Sequence, residues 1–304
     1  MLRMRSTVAL WLTTSLVIIL LPYLVWGQQS ESADWAANIA NRYRIVPNIT
    51  YLKANNYESK LDLYLPRNLT EPSPTLLYIH GGGWVRGSKE TSTLRLLPYL
   101  EMGWSVVNVE YRLARTSLAP AAVEDCRCAL RWIIRNAKEY NLDPNKIVVS
   151  GHSAGGHLSL TTGMLPASAG LDRQCPGDEE LKVAAIVNWY GITDVGDLLE
   201  GPNIKNYAVA WMGSMDDRHE IARRVSPLTY VRPGLPPILT IHGDADPSVP
   251  YSHAVQLHKA LSETGVPNQL LTIPGGKHGG FTRTETLKAY TTILEFLKKY
   301  SNPS

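Results

Sequence analysis

A run of apolar β-branched residues that breaks into Gly-X-Ser-X-Gly and resumes as a helical pattern can belong to few folds. Here it reads Lys146-Ile147-Val148-Val149-Ser150, then Gly151-His152-Ser153-Ala154-Gly155, then Gly156-His157-Leu158. Such a strand must turn sharply into a helix, with Ser153 at the apex in strained backbone geometry. Gly151 and Gly155 flank the apex because side chains there would collide with neighbouring backbone. The turn lifts the Ser153 hydroxyl above the end of a sheet, where a substrate and a histidine can reach it. The same pattern also arises by accident in small-residue loops, so its meaning depends on partners elsewhere in the chain.

Strands and helices alternate almost throughout. Thr50–Ala54 and Lys60–Leu65 alternate in polarity around Asn55-Asn56 and read as a hairpin of outer antiparallel strands. Further strands are expected at Leu76–Ile79, Trp104–Val109, Lys146–Ser150, Val183–Trp189, Pro237–Ile241 and Gln269–Ile273. Helices are expected at Thr93–Met102, Ala121–Tyr140, Tyr251–Thr264 and Thr284–Tyr300. This alternation requires a mostly parallel sheet with helices on both faces, linked by right-handed crossovers. Gly191–Pro236 is less regular, with helical fragments at Tyr207–Met212 and Arg218–Arg224, and is the candidate lid section, a short one. With 304 residues and 44% hydrophobic content, one domain of this kind can bury a large core. The net charge of +3 argues against a nucleic-acid partner.

Ahead of the main body stand a basic Met1-Leu2-Arg3-Met4-Arg5, an apolar Val8–Leu21, and Pro22. Residues 1–27 read as a signal peptide cleaved near Gly27, or as an uncleaved anchor, because extension to Trp26 nearly spans a bilayer. Either way the body, residues 49–304 after a polar extension at 28–48, is expected outside the cytoplasm, secreted or periplasmic. Membrane association is expected only if the segment stays uncleaved. Asn48-Ile49-Thr50 and Asn68-Leu69-Thr70 are glycosylation acceptors in a eukaryotic source.

A serine hydroxyl is a poor nucleophile until a base within hydrogen-bond reach takes its proton, and the base needs an orienting acid. In sheet hydrolases these follow in the order Ser, acid, His. The acid candidates are Asp244 and Asp246, in the loop after the Pro237–Ile241 strand, and Asp244 has an alternative as a turn residue bonding its own loop. The base candidate is His278, which lies between the last strand and last helix with Gly275, Gly276, Gly279 and Gly280 around it. His152, His157 and His242 read as local packing or hydrogen-bonding residues, and His219, His253 and His258 as residues of surface helices. No histidine pair has metal-ligand spacing with a third partner. Ile79-His80-Gly81-Gly82-Gly83-Trp84 follows a strand, and its glycines let backbone N–H groups approach a substrate oxygen. Gly82 and Gly83, with the Ala154 amide, would form the oxyanion hole. A phosphate-binding reading of this loop fails for want of Gly-Lys-Ser/Thr.

His80-Gly81-Gly82-Gly83-Trp84, Tyr111-Arg112-Leu113-Ala114, Pro120-Ala121-Ala122-Val123-Glu124-Asp125, Gly151–His157 and Asp246-Pro247-Ser248-Val249-Pro250 together resemble the α/β-hydrolase esterases. They look most like the compact secreted branch of feruloyl-esterase-like and acetyl-esterase-like enzymes, near the hormone-sensitive-lipase group. The resemblance runs from about Tyr51 to the final helix. It implies the α/β-hydrolase fold with an eight-stranded sheet, hydrolysis of carboxylic esters and no cofactor. It also implies a Ser153–Asp246–His278 triad, favouring Asp246 over Asp244, and an oxyanion hole of Gly82, Gly83 and Ala154. Two departures stand out. Ala114–Ala119 replaces a more Pro-rich loop, and the N-terminal region is too short for a helical cap, so an open site is expected.

Trp84, Tyr190 and Trp211 are candidates for an apolar pocket, each with an equal alternative as plain core. Cys126 and Cys128 lie two apart on a helix and cannot pair with each other, whereas Cys175 could bridge one of them. The expected activity is a serine carboxylesterase acting on small-molecule esters with short-chain or carbohydrate-linked acyl groups. A prolyl-oligopeptidase-type peptidase shares sheet and triad, but the Gly-rich oxyanion loop fits esters better. A non-catalytic binding protein of this fold would typically lack a triad member.

Overall fold

The computed structural model describes residues 31–300. Residues 1–27, read as a signal peptide or an uncleaved anchor, lie outside the described residues. The chain divides into two units, Met1–Tyr43 and Arg44–Ser304. In the first, residues 31–42 are helical (α1). No helix among the described residues is long and apolar enough to cross a membrane.

The second unit is built on one eight-stranded sheet in the order β1-β2-β4-β3-β5-β6-β7-β8. The strands are β1 (Tyr43–Ala54), β2 (Tyr57–Pro66), β3 (Ser73–Ile79), β4 (Ser105–Val109), β5 (Leu142–His152), β6 (Ala185–Trp189), β7 (Ile238–Gly243) and β8 (Asn268–Ile273). From β4 to β8 every pairing is parallel, and β2 runs antiparallel to β4. The β1–β2 link is the two-residue turn Asn55-Asn56, both at positive φ (52° and 59°), which is the turn chemistry a tight hairpin requires. β1 begins inside the stretch read as an N-terminal extension. As an edge strand it is buried at only three of its twelve positions and contains Pro47, so it lacks the apolar run that marks inner strands.

The central strands β4 and β6 are buried at every position because helices cover both faces. The main helices are α3 (Ala121–Tyr140), α4 (Ala154–Met164), α7 (Ser252–Glu263) and α8 (Arg283–Tyr300). Asn141 stops α3 in the left-handed conformation, its N–H returning to the Ala137 carbonyl. The helix expected at Thr93–Met102 is instead a 3-10 segment, Lys89–Leu96, running into a short α2, Leu97–Glu101. Pro98, in the first turn of α2, has no N–H to donate backward, so a continuous α-helix through it is unavailable. Gly191–Pro236 carries α5 (Asn206–Met212) and α6 (Arg218–Val225) joined by 3-10 turns.

Two of the quoted motifs meet in one buried ion pair. Asp125 on α3 accepts from the Arg112 amide at 2.8 Å and from its guanidinium at 2.6 Å. Removing one partner of such a pair typically costs about 3–5 kcal/mol, because the other charge stays buried. Cys128 is bonded to Cys175, and Cys126 is free and buried. The bridge spans 47 residues. By loop-closure entropy it should stabilise the fold by about 4 kcal/mol. A Cys128→Ser/Cys175→Ser double variant is therefore expected to melt roughly 8–15 °C lower. An unchanged melting temperature would mean the unfolded chain gains nothing from losing the bridge.

Candidate active site

Parallel register carries the ends of β5, β6, β7 and β8 to one edge of the sheet, and the chemistry gathers there. His152 on β5 stands opposite Trp189 on β6, Trp189 opposite Ile241 on β7, and His242 opposite Thr272 on β8. Ser153 follows β5 at φ +58°, ψ −123°, a conformation that costs a side-chain-bearing residue about 1–3 kcal/mol. A Cβ at Gly155 would drive into the Ile79 and His80 carbonyls, and one at Gly151 into the Ile79 and Gly155 carbonyls. The elbow can therefore form only with glycine at both positions.

Ser153 Oγ lies 2.8 Å from His278 Nε2, and His278 Nδ1 lies 2.7 Å from Asp246 Oδ2. With Nδ1–H donated to the carboxylate, Nε2 is left to accept the serine proton. Asp246 Oδ1 accepts from the amides of Ser248 at 2.7 Å and Val249 at 3.0 Å, so both carboxylate oxygens are occupied and the side chain is fully buried. Burial opposes its ionisation, but hydrogen bonds from His242, His278 and the Val249 amide outweigh it and hold the carboxyl well below the ordinary range. Asp244 accepts instead from the Gly275 amide at 2.6 Å and does not approach His278. That bond ties the two functional loops together.

Gly82 and Gly83 border the same cleft as Ser153 and His278. Their φ angles of +119° and +62° turn the loop beneath the cleft in a way that side chains would resist. The Gly82 carbonyl is capped by the Val85 and Arg86 amides at 3.2 and 3.1 Å. His80 stacks on Tyr111 with ring centroids 4.3 Å apart, and its Nδ1–H donates to the Gly81 carbonyl. Ala154 is the first residue of α4, so its amide has no acceptor within the helix. Gly82 and Gly83 thus border the cleft, and Ala154 directly follows the nucleophile.

The three aromatic pocket candidates do not line the cleft. Trp84 and Trp211 are fully buried and stacked on each other at 4.1 Å. Trp84 Nε1 donates to His157 Nδ1, and His157 passes its other N–H to the Val225 carbonyl. Burial, only partly offset by that carbonyl bond, pushes His157 down to about 4, so it remains a neutral hydrogen-bond link. Tyr190 is also buried, behind His278, with ring centroids 4.7 Å apart. The reason is common to two of them: Trp84 (φ +60°) and Tyr190 (φ +40°) have left-handed backbones that swing their side chains away from the direction an extended residue would take.

Tyr207 supplies the wall instead. It packs on Trp84 at 5.9 Å and donates its hydroxyl to the Ser248 carbonyl in the acid loop at 2.8 Å. The cleft, about 800 Å³, is completed by Val85, Ile204 and Ala210. Sequence reasoning missed Tyr207, which carries no motif. It also misplaced His253 and His258, which are buried. His253, Leu257 and Leu261 recur every four residues, a helical stripe that marks the inner face of α7. His253 accepts from the Thr193 amide and pairs with Asp197 at 3.0 Å. His242, read as a local residue, reaches Asp246 Oδ2 at 3.2 Å and shares its Nε2–H with the Val249 carbonyl at 3.1 Å.

An eight-stranded, mostly parallel sheet with Ser, Asp and His gathered in that chain order beyond the carboxyl ends of its strands defines the α/β-hydrolase class. Residues 61–261 match the BD-FAE family, and the chain belongs to it. It is 31% identical over 229 residues to Esterase LipC of Mycobacterium tuberculosis, covering 72% of this chain and 56% of the relative. It is 33% identical over 201 residues to the probable carboxylic ester hydrolase LipM of the same organism, covering 62% and 44%. The chain thus spans about half the length of these curated relatives. Among solved structures, a truncated carbohydrate esterase from gut microbiota superposes with a TM-score of 0.73 at 27% identity, covering 86% of this chain and 98% of that one. The propionate-bound esterase Est2 of Thermogutta terrifontis does so at 0.71 and 25%, covering 86% and 97%.

Proposed function

We propose that this protein is a serine carboxylesterase that hydrolyses short-chain or carbohydrate-linked acyl esters through an acyl-enzyme at Ser153. The observation that carries the reading is the continuous Ser153–His278–Asp246 relay beside a cleft bordered by Gly82 and Gly83. His278 Nε2 takes the Ser153 proton as Oγ attacks the ester carbonyl. Amides of Gly82, Gly83 and Ala154 hold the resulting oxyanion, each worth about 3 kcal/mol of barrier. His278 then gives the proton to the departing alcohol. A water, activated by the same imidazole, attacks the acyl-enzyme and releases the acid. The names of the relatives and of the gut carbohydrate esterase support this chemistry.

Short acyl chains are favoured by the buried Trp84–Trp211 pair and Tyr207, which fill the space beside the oxyanion loop that a long chain would need. The propionate- and butyrate-bound states of Est2 support the same range. The expected result is a kcat/KM maximum at p-nitrophenyl acetate or butyrate, with octanoate about tenfold lower and no jump in rate above the micelle concentration. Overfilling such a pocket costs roughly 1–3 kcal/mol. Tyr207→Ala should move the maximum toward longer chains. A maximum at octanoate in the unaltered protein would refute the short-chain assignment. Failure of a fluorophosphonate to label Ser153 would refute the esterase. An exported location is proposed from the basic, apolar leader sequence, and the Cys128–Cys175 bridge supports an oxidising compartment.

A further inference from the structure

We propose that the preferred substrates carry a negative charge on their alcohol portion, a carboxylate or a phosphate, recognised by Arg86 and Lys205 across the mouth of the cleft. This rests on the esterase reading of Ser153 and narrows it. Arg86 borders the cleft from the oxyanion-loop side, and Lys205 borders it from the segment between β6 and β7. Among the described residues that line the cleft, none is aspartate or glutamate.

The nearby carboxylates do not cancel this field. Asp246 is buried behind His278 and bonded on both oxygens. Asp244 is engaged by the Gly275 amide, and Glu200, a few residues before Lys205, sits 3.1 Å from both Arg218 and His219. Lys205 Nζ donates to the Pro247 carbonyl at 3.1 Å, which fixes the ammonium at the acid-loop side. Two of its three protons remain to donate. His152 also lines the cleft. Burial, with Arg95, His80 and His278 nearby, pushes it down to about 3, so it adds no charge of its own.

Position within the cleft decides which part of the substrate meets the cations. Ser153 fixes the ester carbonyl, and the acyl side is bounded by Tyr207 over the buried tryptophan pair. Arg86 is exposed and Lys205 half-buried, so both stand toward solvent, and an alcohol portion projecting out of the cleft would pass them. A neutral alcohol gains nothing from them. An anionic one gains two charge-assisted contacts, weakened by exposure and by salt. Arg86, with its planar fork, suits a bidentate carboxylate or phosphate.

The test compares 4-acetoxybenzoate and 4-acetoxyphenyl phosphate with neutral 4-acetoxybenzamide. Each kcat/KM is divided by the ester's rate with neutral imidazole in free solution at the same salt, which removes the intrinsic reactivity of the leaving group without adding a charge repulsion of its own. At about 20 mM salt the anionic esters should be favoured about tenfold, and the ratio should fall toward unity near 0.5 M as screening sets in. The Arg86→Gln/Lys205→Gln double variant should bring the ratio to about one. A larger ratio for one anion over the other names the source as carboxylate or phosphate. A ratio at or below one in the unaltered protein, or a ratio that the double variant leaves intact, overturns the inference while the esterase stands. No hydrolysis of any of the three, with no fluorophosphonate labelling at Ser153, overturns both.

Discussion

Ser153→Ala is expected to lower kcat for ester hydrolysis by about 10⁶-fold. Alanine deletes the Oγ that His278 Nε2 meets at 2.8 Å and leaves the rest of the relay in place. Its Cβ occupies the same position, so the +58° backbone strain is retained and the melting curve should not move. Ser153→Gly should be equally inactive but more stable. Glycine adopts that φ freely and recovers part of the roughly 1–3 kcal/mol stored at the elbow, less the entropy it loses on folding. A gain of a few degrees in Tm over the alanine variant is the expected readout. Retained hydrolysis in either variant, at a normal melting temperature, would remove Ser153 from the mechanism.

Asp246→Asn should cost about 10⁴ in kcat, and Asp244→Asn should leave kcat near normal. Both Asp246 oxygens accept: Oδ2 from His278 and His242, Oδ1 from the Ser248 and Val249 amides. An asparagine cannot satisfy both sides. If its amide faces His278, it donates to Nδ1 and leaves the proton on Nε2, where it faces Ser153 and blocks general-base action. If its oxygen faces His278, the NH₂ is driven against two backbone N–H donors. Either orientation is frustrated in a buried place. Asp244 offers one oxygen to the Gly275 amide at the surface, so its loss loosens a loop without changing a tautomer. If the Asp244 variant proved the inactive one, the orienting role would pass to the other carboxylate. Because Asp246 is held ionised by its donors, its contribution to stability is present above the ordinary carboxylate range and is lost only as the pH falls through its depressed native value.

What could be read from the sequence was whatever depends on strand ends and chain order. Ser153, Asp246 and His278 each follow a strand of the parallel sheet, and parallel strands deliver their ends to one edge whatever the side-chain details. The sheet itself was equally plain, because β4 and β6 are mostly apolar, each broken only by small or amide side chains. Direction was not legible. Trp84 stands next to the oxyanion glycines in sequence, yet a φ of +60° turns it down into the core, where Trp211 meets it. No residue pattern announces that rotation. Tyr207 was hidden for the converse reason: an ordinary position on a short helix reaches the cleft only because α5 is folded back over it. The His253–Leu257–Leu261 stripe was visible but overridden by the habit of placing histidine outside.

Spreading the relay over β5, β7 and β8 also imposes a timetable on synthesis. The ribosome places Ser153 in the chain 125 residues before His278. At 5–20 residues per second, roughly 6–25 s separate the nucleophile from its base. For most of that interval β8 has not been made, and until its end no arrangement of the nascent chain can bring an imidazole at position 278 to the elbow. Hydrolysis therefore begins only when the last strand has been added, which makes turnover of a chromogenic ester a clock for completion of the sheet.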